Sequence, residues 1–249
     1  MEKREILKRL DHTLLKQTAT WEQIRKLCDE GLKYQTASVC IPPCFVRRAK
    51  EYVGDHLAIC TVIGFPNGNT TTQAKEAEAK EVLEAGADEI DMVINVGMVK
   101  EGDYEAVQQE IETLRKISQG KVLKVIIETC LLTEEEKMKL CQVVTESGAD
   151  YIKTSTGFAG GGATFEDVAL LRRCVGANIK VKAAGGISSV DDAQEFLRLG
   201  ADQPIDSFVR RIGRRKVREE DRDERILDCT GNVSITSAIG SILWDFHRL

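Results

Sequence analysis

The sequence predicts an α/β protein whose repeated strand–helix units close into an eight-stranded parallel barrel, (β/α)8. Three observations predict it. Short β-branched runs alternate along the chain with longer, charged, amphipathic stretches, the pattern of a parallel sheet covered by helices. One helix-to-strand joint recurs almost unchanged as EAGAD (84–88), ESGAD (146–150) and RLGAD (198–202). The length of 249 residues suits a single barrel domain. An open doubly wound sheet is the competing architecture, but no G-x-G-x-x-G follows the first strand.

Seven strands are expected near 10–14, 36–41, 58–64, 89–95, 122–128, 151–155 and 180–184, with helices near 20–33, 45–53, 70–85, 103–118, 133–147, 164–175 and 189–199. Helix starts carry a capping oxygen followed by acids, which complement the N-terminal end of the helix dipole. Thr133 precedes Glu134, Glu135 and Glu136; Thr164 precedes Glu166 and Asp167; Ser189 precedes Asp191 and Asp192. In the recurring joints the glycine stands where the helix must stop, and only glycine adopts the left-handed conformation there cheaply.

The eighth unit is expected after residue 202, and there the pattern changes. QPIDSFV (203–209) reads as a poor barrel strand, because Pro204 cannot donate to a ladder that is paired on both sides. RRIGRRKVREEDRDER (210–225) is almost wholly charged, as in a solvated helix or an irregular segment. The domain expectation is therefore a barrel over 1–202 and a divergent, charged C-terminal segment over 203–249.

The net charge of −5 argues against nucleic acid and against an anionic membrane surface as partners. The first residues, MEKREILKR, lack the apolar stretch of a secretory signal, and no run is long enough to span a bilayer. The expected compartment is the cytoplasm. Eight cysteines are scattered mostly within apolar runs and are expected as buried free thiols. Cys40 and Cys44 are spaced C-x3-C, and His12, His56 and His247 lack the spacing of a metal site, so no metal is expected.

Charged residues within strands locate the chemistry, because barrel enzymes react at the carboxyl ends of their strands. Asp91 lies in the fourth strand, Lys153 in the sixth and Lys182 in the seventh. Lys124, Asp11 with His12, and Cys40 are secondary candidates. Burial lowers the pKa of a lysine and a second ammonium nearby acts the same way, so the Lys153–Lys182 pair is a device for keeping one amine neutral. A neutral amine attacks a carbonyl to form a Schiff base, and Asp91 could move the protons. A lysine paired with a carboxylate such as Glu128 is the purely structural alternative. Glycine-rich turns follow both lysine strands, at 157–162 and 185–186, ahead of the caps at Thr164 and Ser189. Such turns cradle anions.

Seven stretches in order, LDHTLLK (10–16), ASVCIPP (37–43), VIGFPNG (62–68), EIDMVINVG (89–97), LKVIIETCLL (123–132), IKTSTGF (152–158) and VKAAGGI (181–187), together resemble the deoxyribose-phosphate aldolase family. The resemblance implies a class I aldolase on a TIM barrel that uses no metal or organic cofactor. It implies reversible cleavage of 2-deoxy-D-ribose 5-phosphate to D-glyceraldehyde 3-phosphate and acetaldehyde. By motif, Lys153 becomes the Schiff-base nucleophile, Lys182 the residue that perturbs it, and Asp91 a proton donor or acceptor. Gly157, Gly185 and Gly186 fall at the phosphate, with Thr156, Phe158 and Ile187 beside them as substrate-binding candidates. Partners are expected to be a small phosphorylated sugar and further copies of the chain in a homo-oligomer.

After 202 the resemblance is expected to stop, since the family continues there with a strand and a phosphate-binding loop. An altered reading frame and a divergent natural tail both explain the change. On either explanation a catalytically impaired homologue is the alternative to an active aldolase.

Overall fold

A computed structural model describes residues 3–187 and 189–205 of the chain. Eight strands run in order around a closed barrel: β1 (Asp11–Thr13), β2 (Ser38–Ile41), β3 (Ala58–Ile63), β4 (Glu89–Val93), β5 (Val122–Ile126), β6 (Tyr151–Lys153), β7 (Lys180–Ala184) and β8 (Gln203–Ile205). Every pairing is parallel. The seven expected helices are α2 (Trp21–Tyr34), α3 (Val46–Val53), α4 (Thr72–Glu84), α6 (Tyr104–Ile117), α7 (Glu134–Glu146), α8 (Phe165–Cys174) and α9 (Val190–Arg198). Two short helices were not expected, α1 (Lys3–Leu7) and α5 (Val96–Glu101). Each is too short to show a period in the sequence. No helix among the described residues is long and apolar enough to cross a membrane.

The eighth strand corrects the sequence expectation. Gln203, Pro204 and Ile205 pair with Lys182, Ala183 and Ala184 of β7, and Ile205 pairs with Asp11 of β1. A proline removes one donor from a ladder but leaves those of its two neighbours, and a strand of three residues tolerates that loss. The barrel thus closes, and residues 203–205 belong to it. The remainder of QPIDSFV, the charged run 210–225 and Cys229 lie outside the described residues.

The recurring glycine–alanine–aspartate joint has a common construction. Gly86, Gly148 and Gly200 all take positive φ, 102°, 76° and 101°. The aspartate two residues on accepts a backbone N–H from the preceding strand. Ile59 N donates to Asp88 Oδ2 at 3.1 Å, Leu123 N to Asp150 Oδ2 at 2.8 Å, and Val181 N to Asp202 Oδ2 at 2.9 Å. A basic side chain reaches each carboxylate: Lys50 and Lys121 for Asp88, Arg115 for Asp150, and Arg172 for Asp202. At two joints the glycine also makes room for that side chain. A Cβ on Gly86 or Gly200 would lie 2.7 or 2.5 Å from the Cγ of Lys50 or Arg172. These joints sit where β4, β6 and β8 begin, the end of a barrel that carries stability rather than chemistry.

Strand parity separates two interiors. Val39, Ile59, Ile90, Leu123, Ile152 and Val181 face outward into the main apolar core between sheet and helices. Burying each such aliphatic side chain stabilises the fold by about 1.5–3 kcal/mol. The other parity is polar. Lys124 on β5 contacts Asp11 on β1, and that contact can only cross the barrel lumen. Cysteine burial departs from expectation at three of the described positions: Cys44 and Cys130 are exposed and Cys174 is half-buried, whereas Cys28, Cys40, Cys60 and Cys141 are buried.

Candidate active site

Three lysines and three carboxylates meet in the lumen. Lys153 and Lys182 are register partners on adjacent strands, an arrangement that their place on consecutive strands allowed. Their Nζ atoms do not merely lie side by side; both donate to one oxygen of Asp91. Lys153 Nζ lies 2.6 Å from Asp91 Oδ2 and Lys182 Nζ lies 2.9 Å from it. Asp91 Oδ1 receives Lys124 Nζ at 3.1 Å and the Cys60 thiol at 3.2 Å. Asp11 binds Lys182 and, at 3.2 Å, Lys124, and it also accepts from Gln203 Nε2. Glu89 binds Lys124. Asp11, Asp91, Lys124 and Lys182 are wholly buried, while Lys153 keeps 3% of its surface exposed. Lys153 is therefore the least enclosed of the three lysines.

Charge compensation decides the protonation states. Burial pushes the Lys182 pKa down, but Asp11 and Asp91 together outweigh it, and the net direction is up. The same balance at Lys124, with Asp11 and Asp91 again, carries it well above its ordinary value. Burial by itself would lower both, and the carboxylates within hydrogen-bond distance reverse it. A charged Lys182 is compatible with its expected part as the second ammonium beside Lys153. Burial raises Asp91, but Lys124, Lys153 and Lys182 overcome it and hold its carboxyl well below the usual range. Asp11 is lowered, its burial outweighed by Lys124 and Lys182.

These directions fix a pH dependence of folding. Groups with a depressed carboxyl pKa contribute stability that is complete above the ordinary value near 3.8 and is lost as pH falls below it. Glu89, pushed up by burial, works in the opposite sense and softens the loss. Melting followed from about pH 6 to about pH 3 should show a steep fall in Tm below about pH 4. A flat profile over that range would contradict the charge assignment.

Several of these residues escaped the sequence reading. Glu89 lies two positions before Asp91 and shares its parity, a usable signal. Cys60 looked like one more apolar-strand cysteine. Gln203 sat in the segment judged a poor strand. Of the secondary candidates, Asp11 and Lys124 join the cluster directly. Cys40 is the register partner of Cys60 on the lumen side. His12 is turned elsewhere, its Nε2 lying 2.9 Å from Glu30 Oε2. Among the described residues Glu128 takes no lysine; its carboxylate accepts from Thr156 N at 3.2 Å and from the Thr156 hydroxyl.

Donor atoms of Cys40, Cys60 and Asp91, and of Asp11, Cys60 and Glu89, lie within 4.8 Å of one another. Lys124 contacts all three members of the second group and two of the first, lying 3.4 Å from Cys60 Sγ as well as reaching Asp11, Glu89 and Asp91. An ammonium already fills the place a cation would need, so the donor set does not fit a metal.

The two glycine turns pack backbone against backbone beside the lysines. Ala163 N donates to Ala184 O at 2.9 Å and to Gly185 O at 3.2 Å. A Cβ on Gly162 would come within 2.7 Å of Gly185 C and O. Gly185 and Gly186 both have φ of 77°, and Gly157 has 83°. Consecutive left-handed residues suit a concave run of backbone amides, and Ile187, buried, follows them. The caps of α8 and α9 form as expected, with Thr164 accepting from Asp167 N and Ser189 from Asp192 N. Phe158 is 47% exposed; its ring packs edge-on against Phe65 at 5.2 Å, and its N–H donates to Thr156 Oγ1 at 3.1 Å.

The sequence profile of the DeoC/LacD family aldolases matches residues 6–213. The chain belongs to that family. The match runs past residue 202, where the resemblance was expected to stop, and takes in the eighth strand. A deoxyribose-phosphate aldolase of Clostridium botulinum is 55% identical over 203 residues, covering 82% of this chain and 92% of the relative. One from Streptococcus agalactiae is 54% identical over 220 residues, covering 88% and 99%. Among solved structures, the aldolase QR15 superposes with a TM-score of 0.81 at 34% identity, over 90% of this chain and 99% of that one. The deoxyribose phosphate aldolase of Aeropyrum pernix, described as a tetramer, gives 0.78 at 33% identity, over 83% and 88%. The chain is accordingly an aldolase, a lyase on a TIM barrel.

Proposed function

We propose that this DeoC/LacD-family aldolase cleaves 2-deoxy-D-ribose 5-phosphate, reversibly, through a Schiff base on Lys153. The observation that carries the reading is the shared carboxylate oxygen: Asp91 Oδ2 accepts from both Lys153 and Lys182. The least enclosed of the three amines is thereby placed beside a base and a second cation. The names of the relatives support the substrate.

Lys153, as the free amine, attacks C1 of the open-chain sugar, and loss of water leaves an iminium. Asp91 accepts the Lys153 hydrogen bond and is the first base within reach of its proton. Acetaldehyde takes two carbons, so the bond that breaks is C2–C3. The C3 hydroxyl gives up its proton to Asp91, directly or through water, its oxygen becomes the carbonyl of glyceraldehyde 3-phosphate, and the C2–C3 electrons move into the imine to leave an enamine. Lys182, held as an ammonium by Asp11 and Asp91, can supply the proton that C2 then takes. Water releases acetaldehyde and restores the amine. Each of these proton transfers is worth roughly 10²–10⁴-fold in rate.

The paired glycine turns are suited to the phosphate, through Gly157, Gly185, Gly186 and the neighbouring amides. Gly162→Ala should force them apart, since neither backbone can yield to a contact of 2.7 Å. Overpacking of this kind costs about 1–3 kcal/mol of stability, and displacing the turn amides should separately raise KM for the phosphorylated sugar by roughly tenfold, a loss of about 1.4 kcal/mol of binding. An unchanged KM would argue against a phosphate at this joint.

The competing reading is another Schiff-base enzyme acting on a different phosphorylated sugar. A substrate panel with detection of glyceraldehyde 3-phosphate separates the two. Cleavage confined to a different sugar phosphate would refute the proposal. Among the described residues nothing favours an impaired homologue, because β8 closes the barrel and Gln203 completes the Asp11 hydrogen bonds. Phosphate binding, the oligomer and the cytoplasmic location remain parts of this reading. The tetrameric Aeropyrum relative supports the oligomer.

A further inference from the structure

We infer that Glu128 is a positioning residue that makes the Thr156 hydroxyl an obligate hydrogen-bond acceptor for a substrate hydroxyl. The inference rests on the Schiff-base reading above and goes beyond it to specificity for the second, phosphorylated half of the sugar.

Glu128 is buried, with 3% of its surface exposed, at the carboxyl end of β5. Each lumen carboxylate has a lysine, but among the described residues no lysine or arginine pairs with Glu128. Its close partners are the two donors of one residue. Thr156 N lies 3.2 Å from both carboxylate oxygens, and Thr156 Oγ1 donates to Oε2. The Cys130 thiol adds only a long contact of 3.9 Å. The backbone of Glu128 is left-handed, φ 56° and ψ 66°, a conformation that non-glycine residues seldom adopt and that tends to mark functional positions. Strain at this residue aims a carboxylate at Thr156.

The consequence follows from donor arithmetic. A carboxylate has no proton to give, so the Thr156 hydroxyl must donate to it. Phe158 N then donates to Thr156 Oγ1 at 3.1 Å and takes one lone pair. What remains on the hydroxyl is a single acceptor position. Only a donor can use it, and a sugar hydroxyl is such a donor. Thr156 is three residues beyond Lys153, within about 10 Å along an extended chain, the reach of a five-carbon substrate. Acetaldehyde bears no hydroxyl, so the contact concerns the aldehyde fragment that carries the phosphate. A site built to pair with a substrate hydroxyl discriminates strongly against substrates that cannot make the bond.

The test compares two reactions of the same enzyme. Exchange of the methyl protons of acetaldehyde with deuterated water requires the Lys153 enamine but no sugar hydroxyl. Cleavage of 2-deoxy-D-ribose 5-phosphate requires both. Glu128→Gln presents an amide that can donate to Thr156 and so scrambles the polarity. It should lower kcat/KM for the sugar phosphate by about tenfold or more while leaving acetaldehyde exchange within about twofold. Thr156→Val should give a similar loss, and the double variant should be no worse than the more impaired single variant, since one hydrogen-bonded unit is broken in each. Equal losses in both reactions, or no loss in either, would overturn the inference. Absence of acetaldehyde exchange in the unaltered enzyme would instead overturn the Schiff-base reading, and this inference with it.

Discussion

Lys153→Ala should abolish turnover and leave the fold standing. Among the described residues Lys153 makes one ion pair, to Asp91 Oδ2, and Asp91 keeps Lys124, Lys182 and the Cys60 thiol when that pair is lost. Removing the lysine leaves two ammonium groups facing three carboxylates, and Glu89, whose carboxyl burial already pushes up, can take a proton to restore the balance. The melting temperature should therefore move by only a few degrees, about 1 kcal/mol for a chain of this size. Turnover should fall by on the order of 10⁴-fold or more, because the covalent route disappears and no neighbouring amine has the same exposure. Lys182 is wholly enclosed, and Asp11 and Asp91 keep it protonated. Turnover retained within about tenfold would remove Lys153 from the centre of the mechanism.

Asp91→Asn should have the opposite profile, with loss of both activity and stability. The side chain keeps its shape, but three buried ammonium groups then face Asp11 and Glu89 alone. Breaking one partner of a buried ion network costs about 3–5 kcal/mol, or a fall in Tm on the order of 10 °C here. Turnover should drop by roughly 10²–10⁴-fold as the proton acceptor beside Lys153 is lost. Adding Lys153→Met to Asp91→Asn removes the ammonium whose carboxylate partner has gone. The double variant should recover part of the stability and none of the activity. A single Asp91→Asn variant that melts like the parent would mean that the carboxylate does not hold the lysines together.

The barrel was legible because its punctuation is local. Glycine and aspartate in the recurring joints, and hydroxyl caps followed by acids, announce their conformations within a few residues, and all the expected strands and helices formed close to the expected bounds. The eighth strand was not legible, because its evidence is non-local. Gln203–Ile205 is a strand only by virtue of β7 on one side and β1 on the other. The proline rule described a longer strand than the one that forms.

The site was legible as residue types and illegible as electrostatics. Lys153, Lys182 and Asp91 stood out as charges within apolar strands. The sequence could place Lys153 beside Lys182, but it could not show that one oxygen of Asp91 lies between their amines. Nor could it show that Asp11, eighty residues before Asp91 in the chain (91 − 11 = 80), sits across the lumen and reverses the direction in which burial pushes Lys182. Glu128 was weighed only as a lysine partner, and its grip on Thr156 depends on a left-handed backbone that no local pattern announced.

Borohydride reduction in the presence of acetaldehyde, followed by peptide mapping, tests the central claim most directly. Reduction of the imine leaves an ethyl group on the lysine nitrogen that formed it. The account predicts a single stoichiometric N-ethyl-lysine at Lys153, absent from the Lys153→Ala variant and from samples given no reductant. Labelling at Lys182 or Lys124 in its place, or labelling spread evenly over surface lysines with Lys153 unmodified, would contradict it.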